Sequence, residues 1–433
     1  MKKILLWVLV LAAIFPVWGN GAWSLDSCIN YAVSHNLTVK SRELNVRNAE
    51  LTVTEAKDAF LPNLSGGAQQ SFSFGRGLTQ ENMYANRNTS QFGWSVQMSM
   101  PLFQGLRDVR NLDYSRANYR MIIEELESAK DNITLSVIAQ YLQVLYCKEM
   151  YDVAMEQVRL SEFELNRRKE LVEAGKIPEL DILQAQAQLS QDELTAVSAN
   201  NDLDLALLDL SQMLELETPE GFDVEPLSVS MIELPLMRPE EVYESALSGN
   251  HSVKASRLAV DVADKYIKLA QSGYLPTLSF SAGLGSSYYK TSGFDNESFL
   301  GQMRHNLSQS LGFSLNIPIF DSFSTRNNVR KAKVQQLSAQ LQLKETELQL
   351  YKTIQQAYTQ AVAANKRKES SAVAEKSTRA SFDAIREKYN YGKANATEFE
   401  QAQTEYIKAV SQSVQAKYES VLRRRILAYY MGN

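Results

Sequence analysis

Glycine and proline are scarce in this chain of 433 residues, which contains 19 glycines and 10 prolines. Neither residue occurs from 22 to 61, from 106 to 174 or from 323 to 391. Because glycine and proline are the residues that most often end helices, these gaps predict long uninterrupted helices. A helix over 106–171 would reach about 100 Å, more than an ordinary globular domain encloses. Such helices are typical of coiled coils and tall bundles.

Long apolar runs are absent beyond the first 22 residues. Two lysines at positions 2 and 3 precede an apolar stretch from Ile4 to Trp18, and small residues follow it up to Ala22. This pattern predicts a secretory signal peptide over 1–22 and therefore an exported chain. No later segment has 18 consecutive apolar residues, so we expect any entry into a membrane to use a β-barrel.

Residues for catalysis and metal binding are also few. The three histidines are scattered without metal-ligand spacing, and phosphate-binding glycine loops, Gly-x-Ser-x-Gly and Cys-x-x-Cys are missing. We therefore expect no enzyme, no cofactor and no metal site. A net charge of −5 gives no electrostatic reason to expect nucleic acid.

Only two cysteines are present, Cys28 and Cys147. Cys147 continues a stripe of apolar or small residues spaced by three and four along the predicted long helix, which favours a buried thiol. A disulfide remains possible in an oxidising compartment. The stripe consists of Ile122, Leu126, Ala129, Ile133, Val137, Tyr141, Val144, Cys147 and Tyr151.

The chain contains an internal repeat. "FLPNLS" at 60–65 returns as "YLPTLS" at 274–279, and "MPLFQGLRDVRN" at 100–111 returns as "NIPIFDSFSTRN" at 316–327. "AGKIPELDILQAQAQL" at 174–189 also aligns with "YGKANATEFEQAQTEY" at 391–406. We infer two copies of one unit, 23–213 and 251–433, joined by a segment over 214–250. Each copy is too long for a solenoid repeat.

Each copy has one breaker-rich window, about 62–104 and about 275–320, that predicts a β-hairpin. Apolar and polar residues alternate in "SQFGWSVQMSMPLF", "TLSFSAGLGSSYY" and "SLGFSLNIPIF", whereas "LSGGAQQSFSF" alternates more weakly. This pattern is typical of strands with one face in lipid. A soluble hairpin with one buried face is the alternative, but two matching hairpins in an exported chain favour lipid.

The predicted order of elements is therefore the same in both copies. The first copy has an opening helix, the hairpin, a long helix at about 106–173 and a helix at about 179–213. The second has an opening helix, its hairpin, a long helix at about 323–390 and a helix at about 396–431. Four strands cannot close a barrel, so we expect identical copies to assemble as a ring.

These features resemble the TolC family of outer-membrane efflux and secretion channels. The resemblance includes the opening helix "WSLDSCINYAVSHNLTVKSRELNV", the two Leu-Pro exits, the "PLF" and "PIF" returns and the two Gly-Lys turns. It implies an α+β, mostly α fold that is internally duplicated. Long antiparallel helices would form a periplasmic α-helical barrel, and three chains would each give four strands to a 12-stranded outer-membrane β-barrel. The segment 214–250 resembles the family's equatorial belt.

The resemblance also implies a functional tip at the two helix–helix turns. Gly175, Lys176, Gly392 and Lys393 match the positions that dock a periplasmic adaptor. The pore gate would involve Asp181 and Glu398, six residues after each glycine, Gln184 and Gln401, nine residues after, and Tyr389 before the second turn. Ala394 stands where family members place an arginine, so its ion pair cannot form. Plain capping by the glycines and solvated carboxylates at helix starts remain open alternatives.

The function implied is a passive, gated, trimeric conduit for small-molecule export. Its expected partners are a periplasmic adaptor (a membrane fusion protein), an inner-membrane RND or ABC pump reached through that adaptor, and outer-membrane lipid. An exit duct for protein secretion with an ABC transporter is the alternative. A soluble periplasmic coiled-coil adaptor or scaffold is a third reading, disfavoured by the alternating hairpins.

Overall fold

The computed structural model describes residues 22–78, 83–86, 88–217, 220–227 and 238–431, so the predicted signal peptide lies outside it except for Ala22. The helices are α1 Leu25–His35, α2 Leu37–Asp58, α3 Arg107–Glu173, α4 Leu180–Met213, α5 Pro239–Gly249, α6 His251–Gln271, α7 Phe299–His305, α8 Ser324–Asn390 and α9 Ala396–Tyr430. The strands are β1 Asn63–Ser73, β2 Arg76–Leu78, β3 Tyr84–Asn86, β4 Thr89–Gln104, β5 Thr277–Thr291 and β6 Ser308–Asn316.

The chain divides into two compact units that do not follow the sequence repeat. A helical unit contains the residues up to 42, 127–250 and 348–433, and a sheet unit contains 43–126 and 251–347. Each unit takes segments from both repeats. The long helices α3 and α8 have 67 residues each and contribute to both units.

The sheet unit contains one antiparallel four-stranded sheet in the order β1-β4-β5-β6. The central pair, β4 with β5, joins the two repeats, and its register shifts between Pro101 and Phe103. Helices precede or follow all four strands at one end of the sheet, and the strand-to-strand connections lie at the other. β6 ends at Asn316, so Ile317 and Ile319 of the predicted alternation lie beyond the strand; Pro318, which has no N–H, cannot continue the ladder.

One face of this sheet is apolar. Cross-strand pairs that share this face include Val96 with Leu284 and Phe280 with Phe313. The side chain of Phe313 is 72% exposed and that of Leu311 is 77% exposed, so neither packs into a core of this chain. The opposite face carries mainly serine, glycine and glutamine. The predicted alternation is therefore present on β4, β5 and β6.

The main core of the helical unit lies around the predicted stripe of α3. Val137, Tyr141 and Val144 are buried against residues of α1, α4 and the segment after α4. The Tyr141 hydroxyl donates to the carbonyl oxygens of Trp23, at 3.0 Å, and Glu225, at 2.7 Å. This contact ties the start of the described chain to the segment after α4.

Both cysteines are buried free thiols, and Cys147 lies in the stripe that predicted its burial. Burial raises the pKa of the Cys28 thiol to about 12, and it also raises the pKa of Cys147. These thiols are therefore unreactive at neutral pH, because the thiolate is the nucleophile.

The opening helix of the first repeat is two helices rather than one. Asn36 ends α1, and its side-chain oxygen accepts a hydrogen bond from the Thr38 N–H at 2.9 Å. Its amide donates to the Met213 carbonyl at 3.2 Å. Asparagine interrupts the helix here because its side chain satisfies backbone groups that a continuous helix would pair internally.

Among the described residues, no helix combines the length and the apolar character needed to cross a membrane.

Candidate functional site

The two helix–helix turns of the helical unit have the same backbone conformation. Gly175 follows α3 with φ of 69°, and Gly392 follows α8 with φ of 70°. Each turn is closed by two hydrogen bonds that satisfy the last carbonyls of the helix in a Schellman motif. The bonds are Gly175 N–H to Val172 C=O (2.8 Å), Lys176 N–H to Leu171 C=O (2.9 Å), Gly392 N–H to Tyr389 C=O (3.0 Å) and Lys393 N–H to Lys388 C=O (2.8 Å).

Both turns are open to solvent. Nothing lies within 4 Å of a Cβ placed on either glycine, and Lys176 and Lys393 are exposed. The positive φ explains why glycine is used, because other residues rarely adopt this conformation. The open space also leaves room for the backbone of a partner.

The helices after the two turns begin differently. α9 starts with a capping box, in which the Asn395 side chain accepts from the Glu398 N–H at 2.8 Å and the Glu398 carboxylate accepts from the Asn395 N–H at 3.2 Å. In the first repeat Pro178 occupies the position of Asn395, and α4 has no side-chain cap. Glu398 therefore caps the start of α9, a structural role that is separate from the gate role implied by the family resemblance.

Four of the predicted gate residues, Asp181, Gln184, Glu398 and Gln401, lie on the first two turns of α4 and α9. Glu398, Gln184 and Gln401 are exposed, whereas Asp181 is half-buried. The backbone carbonyl of Asp181 accepts a hydrogen bond from Arg168 at 3.3 Å. Exposed polar side chains at helix starts are available to face either solvent or a lumen.

Tyr389 lies in an aromatic cluster that joins α8 to α9. Its ring stacks on Phe399 at 4.8 Å with 17° between the planes, and Phe399 is buried next to Phe382. The Arg167 guanidinium lies 4.7 Å from the centre of the Tyr389 ring. Tyr389 thus contacts α3 as well as α9.

Arg168 forms a second connection between helices, which we call the Arg168 latch. Its side chain is only 4% exposed and pairs with Glu400 of α9 at 3.0 Å, in addition to the Asp181 carbonyl of α4. Burial lowers the pKa of Arg168, but hydrogen bonds to Glu400 and Tyr389 outweigh this and leave the pKa above its usual value. One charged side chain therefore holds α3, α4 and α9 together.

Glu164 lies one helical turn before this latch and is buried on α3. Its carboxylate is 3.5 Å from Arg167, but the pair has no hydrogen bond between these atoms. Loss of solvent raises the pKa of Glu164 despite the attraction of Arg167 and Arg168. The second repeat has Ser381, Ala384 and Ile385 at the positions of Glu164, Arg167 and Arg168, so this charged cluster belongs to the first repeat alone.

Within the described segments, no group of three histidine, cysteine, aspartate or glutamate residues could hold a metal ion.

Comparison with known families identifies the class of protein. The outer membrane efflux protein family matches the chain twice, over residues 28–215 and 242–433. The chain belongs to this family, and the double match agrees with the internal duplication. It is an outer-membrane efflux channel of the TolC type, located in the outer membrane with a long helical extension into the periplasm.

Its similarity to individual relatives is low but extends over most of the chain. The outer membrane efflux protein BepC of Brucella suis biovar 1 is 23% identical over 92% of this chain and 83% of BepC. The outer membrane protein TolC of Escherichia coli is 22% identical over 88% of this chain and 76% of TolC. The alkaline protease secretion protein AprF of Pseudomonas aeruginosa is 26% identical, but over 48% of this chain and 42% of AprF.

Solved structures share the fold. The outer-membrane channel OprN superposes with a TM-score of 0.74 at 18% identity, covering 94% of this chain and 89% of OprN. VceC of Vibrio cholerae gives a TM-score of 0.75 at 14% identity, covering 94% of this chain and 96% of VceC. Because the sequence identities are low, these structures support the fold alone.

Proposed function

We propose that this protein is the passive exit conduit of a tripartite efflux pump for small molecules. Three copies would form the conduit, and a periplasmic adaptor would connect its turns to an inner-membrane pump. The observation that carries this proposal is the pair of matching open turns at Gly175 and Gly392. Two equivalent, exposed helix hairpins suit a partner that docks by backbone approach.

Assembly from three copies is supported by the sheet. Its order leaves one edge of β1 and one edge of β6 without a strand partner among the described residues. Unpaired strand edges are costly in lipid, where no water satisfies their N–H and C=O groups. Pairing of β1 with β6 of the next copy would satisfy both edges, and three copies would close a sheet of twelve strands.

We place the gate at the same turns. Glu398, Asp181, Gln401 and Gln184 would line the opening, and Tyr389 would hold the helices that surround it. Ala394 cannot supply the arginine that this family often has after the second turn. Arg168 supplies a cation from α3 instead, and it pairs with Glu400 just past that turn. We propose that this latch keeps the turns together when the conduit is shut.

The adaptor role can be tested with three leucine substitutions in a strain that depends on this protein for drug resistance. Gly175→Leu and Gly392→Leu should each reduce co-purification of the adaptor and raise drug accumulation, because a side chain fills the open turn. Gly221→Leu is the matched control, since Gly221 also has positive φ, 75°, and open space around it. Equal effects of all three substitutions would contradict a docking role for the two turns.

Protein secretion is the second candidate function. It is supported by the partial similarity to AprF, whose name is that of a protease secretion protein. Deletion of this protein from its native strain separates the candidates. Loss of a secreted protein from the medium, with drug accumulation unchanged, would favour secretion.

A further inference from the structure

We propose that the segment 294–305, which includes α7, is an interfacial anchor that lies on the outer leaflet of the membrane and contacts phosphate-bearing lipid headgroups. We call this segment the α7 anchor. The proposal rests on the outer-membrane location of the protein and does not depend on its cargo or pump.

The α7 anchor packs on the apolar face of the sheet, at the end opposite the helices. Phe92 and Tyr288 are cross-strand partners, and both rings contact Phe299 of α7, with ring centroids 5.7 and 5.1 Å apart. On the same face, the Ser286 hydroxyl donates to the Met303 carbonyl at 2.7 Å and is buried there. The anchor therefore lies on the same face of the sheet as Val96, Leu284 and Phe313. It sits beyond these residues, nearer to the strand-to-strand connections.

Hydrogen bonds hold the anchor in this position. The Gln302 side chain accepts from the Tyr289 N–H at 2.9 Å and donates to the Tyr289 carbonyl at 3.0 Å. Asn306 donates to the Ser287 carbonyl at 2.7 Å. Among the described residues, β6 pairs with β5 only as far as Gly285, and these side chains occupy the same edge of β5 beyond that residue. These hydrogen bonds fix the position of the anchor along the strands, and therefore its distance from the apolar residues of the sheet.

The outer surface of the anchor combines apolar and cationic side chains. Leu300 is 79% exposed and Phe294 is 68% exposed. Arg304 follows Leu300 by four residues and is exposed on the same side of the helix, and Lys290 is exposed at the end of β5. His305 pairs with Glu297 at 2.8 Å, and Asp295 is the other acidic group of the segment. Leu300 and Arg304 together suit a lipid interface, where leucine enters the acyl region and arginine meets phosphates.

A second copy of the chain is the competing occupant. Phe72 and Phe74 are exposed at the end of β1, and a neighbouring copy would bring its β1 beside β6. Continuity with the lipid-facing apolar surface favours lipid over this contact, because α7 lies on the face of the sheet as well as at the edge of β5.

Site-specific quenching tests the anchor. Single cysteines replace Leu300, Leu284 or Ser287 in the full-length protein lacking Cys28 and Cys147, and each is labelled with an environment-sensitive fluorophore. The labelled proteins are placed in vesicles of phosphatidylcholine and phosphatidylglycerol, with brominated lipid or aqueous iodide as quencher. Leu284→Cys reports the apolar face, and Ser287→Cys reports the opposite face at nearly the height of the anchor.

We expect the label at 300 to be quenched severalfold more by brominated lipid than the label at 287, and severalfold less by iodide. Iodide quenching at 300 equal to that at 287 would overturn the anchor. Protection from both quenchers at 300 would also overturn it and indicate a neighbouring copy. Absence of lipid quenching at 284 would instead contradict insertion of the sheet itself.

Arg304→Gln provides a second readout in the same vesicles. It should reduce lipid quenching at 300 and leave quenching at 284 unchanged, because only the phosphate contact is removed. An unaltered signal at 300 would exclude Arg304 from headgroup binding and would leave a purely apolar contact, contrary to the proposal.

Discussion

Arg168 shows how a single charged residue can hold a helical tip together. It lies on the continuation of the buried α3 stripe, after Val158, Ser161 and Leu165. If the spacing of three and four along the stripe is continued to position 168, it places an arginine on a buried face. A buried charge requires a partner. The partner itself could not be predicted, because Glu400 lies 232 residues away along the chain. The turn glycines, in contrast, were found from the sequence because the repeat preserves them.

Replacement of Arg168 should loosen the tip. Arg168→Gln removes the pair with Glu400 and weakens the bond to the Asp181 carbonyl, so we expect a loss of about 2 kcal/mol of stability and more frequent channel opening in planar bilayers. Arg159→Gln is the control, since Arg159 and its partner Glu156 on the same helix are 64% and 70% exposed. Equal melting temperatures and conductances for both variants would contradict the latch.

Glu398 needs a substitution that separates its charge from its cap. Glu398→Gln keeps an oxygen for the Asn395 N–H but removes the charge. If three carboxylates line the gate, this variant should lower cation preference at unchanged stability, whereas Asn395→Ala should cost about 1 kcal/mol and leave the preference intact. Single-channel recordings and thermal unfolding provide the two readouts. An unchanged ion preference in Glu398→Gln would exclude Glu398 from the gate.

Glu164 predicts an unusual pH dependence. Its folded-state pKa is raised by burial, so its stabilising contribution is complete below its unfolded pKa and is lost as pH rises through the folded value. Glu164→Gln resembles the protonated form and should therefore raise the melting temperature at pH 7. The difference should shrink as the pH falls towards about 4. Glu156→Gln, at a carboxylate that is 70% exposed on the same helix, is the control variant. A destabilised Glu164→Gln at pH 7 would indicate that the pair with Arg167 dominates.

At the scale of elements, the sequence specified the long helices better than the pairing of strands. α3 runs from Arg107 to Glu173 and α8 from Ser324 to Asn390 because no breaker interrupts either segment. The β4–β5 pair could not be predicted from local pattern, since its strands belong to different repeats. The break at Asn36 was also missed, because asparagine is common inside sequences that otherwise favour helix and its effect here depends on the contact with Met213.

The apolar face of the sheet yields a test on one strand. Phe313→Arg places a charge on the face we assign to lipid and should cost about 2–4 kcal/mol near the membrane centre, with loss of protein from the outer-membrane fraction. Ser314→Arg is the neighbouring control on the opposite face. Immunoblots of outer-membrane fractions measure how much of each variant is recovered in the membrane. Equal recovery of both variants would mean that the two faces do not differ in their surroundings.

At the scale of the whole molecule, the family and the duplication follow from sequence, but the number of copies does not. The edges of β1 and β6 that have no strand partner in the described part of the chain require neighbours in lipid, and the number of neighbours depends on how the ring closes. We expect native mass spectrometry in mild detergent to give three copies per particle. A particle of one or two copies that retains channel activity would contradict the proposed ring.

The unequal helix starts after the two turns have a consequence for such a ring. Going around it, three starts locked by Asn395 and Glu398 would alternate with three starts that follow Pro178 and lack this lock. The rim would then have threefold rather than sixfold symmetry, with capped and uncapped helix starts alternating around it. A six-membered partner could not engage every helix start in the same way, and its subunits would have to bind as three equivalent pairs, each made of two non-equivalent subunits.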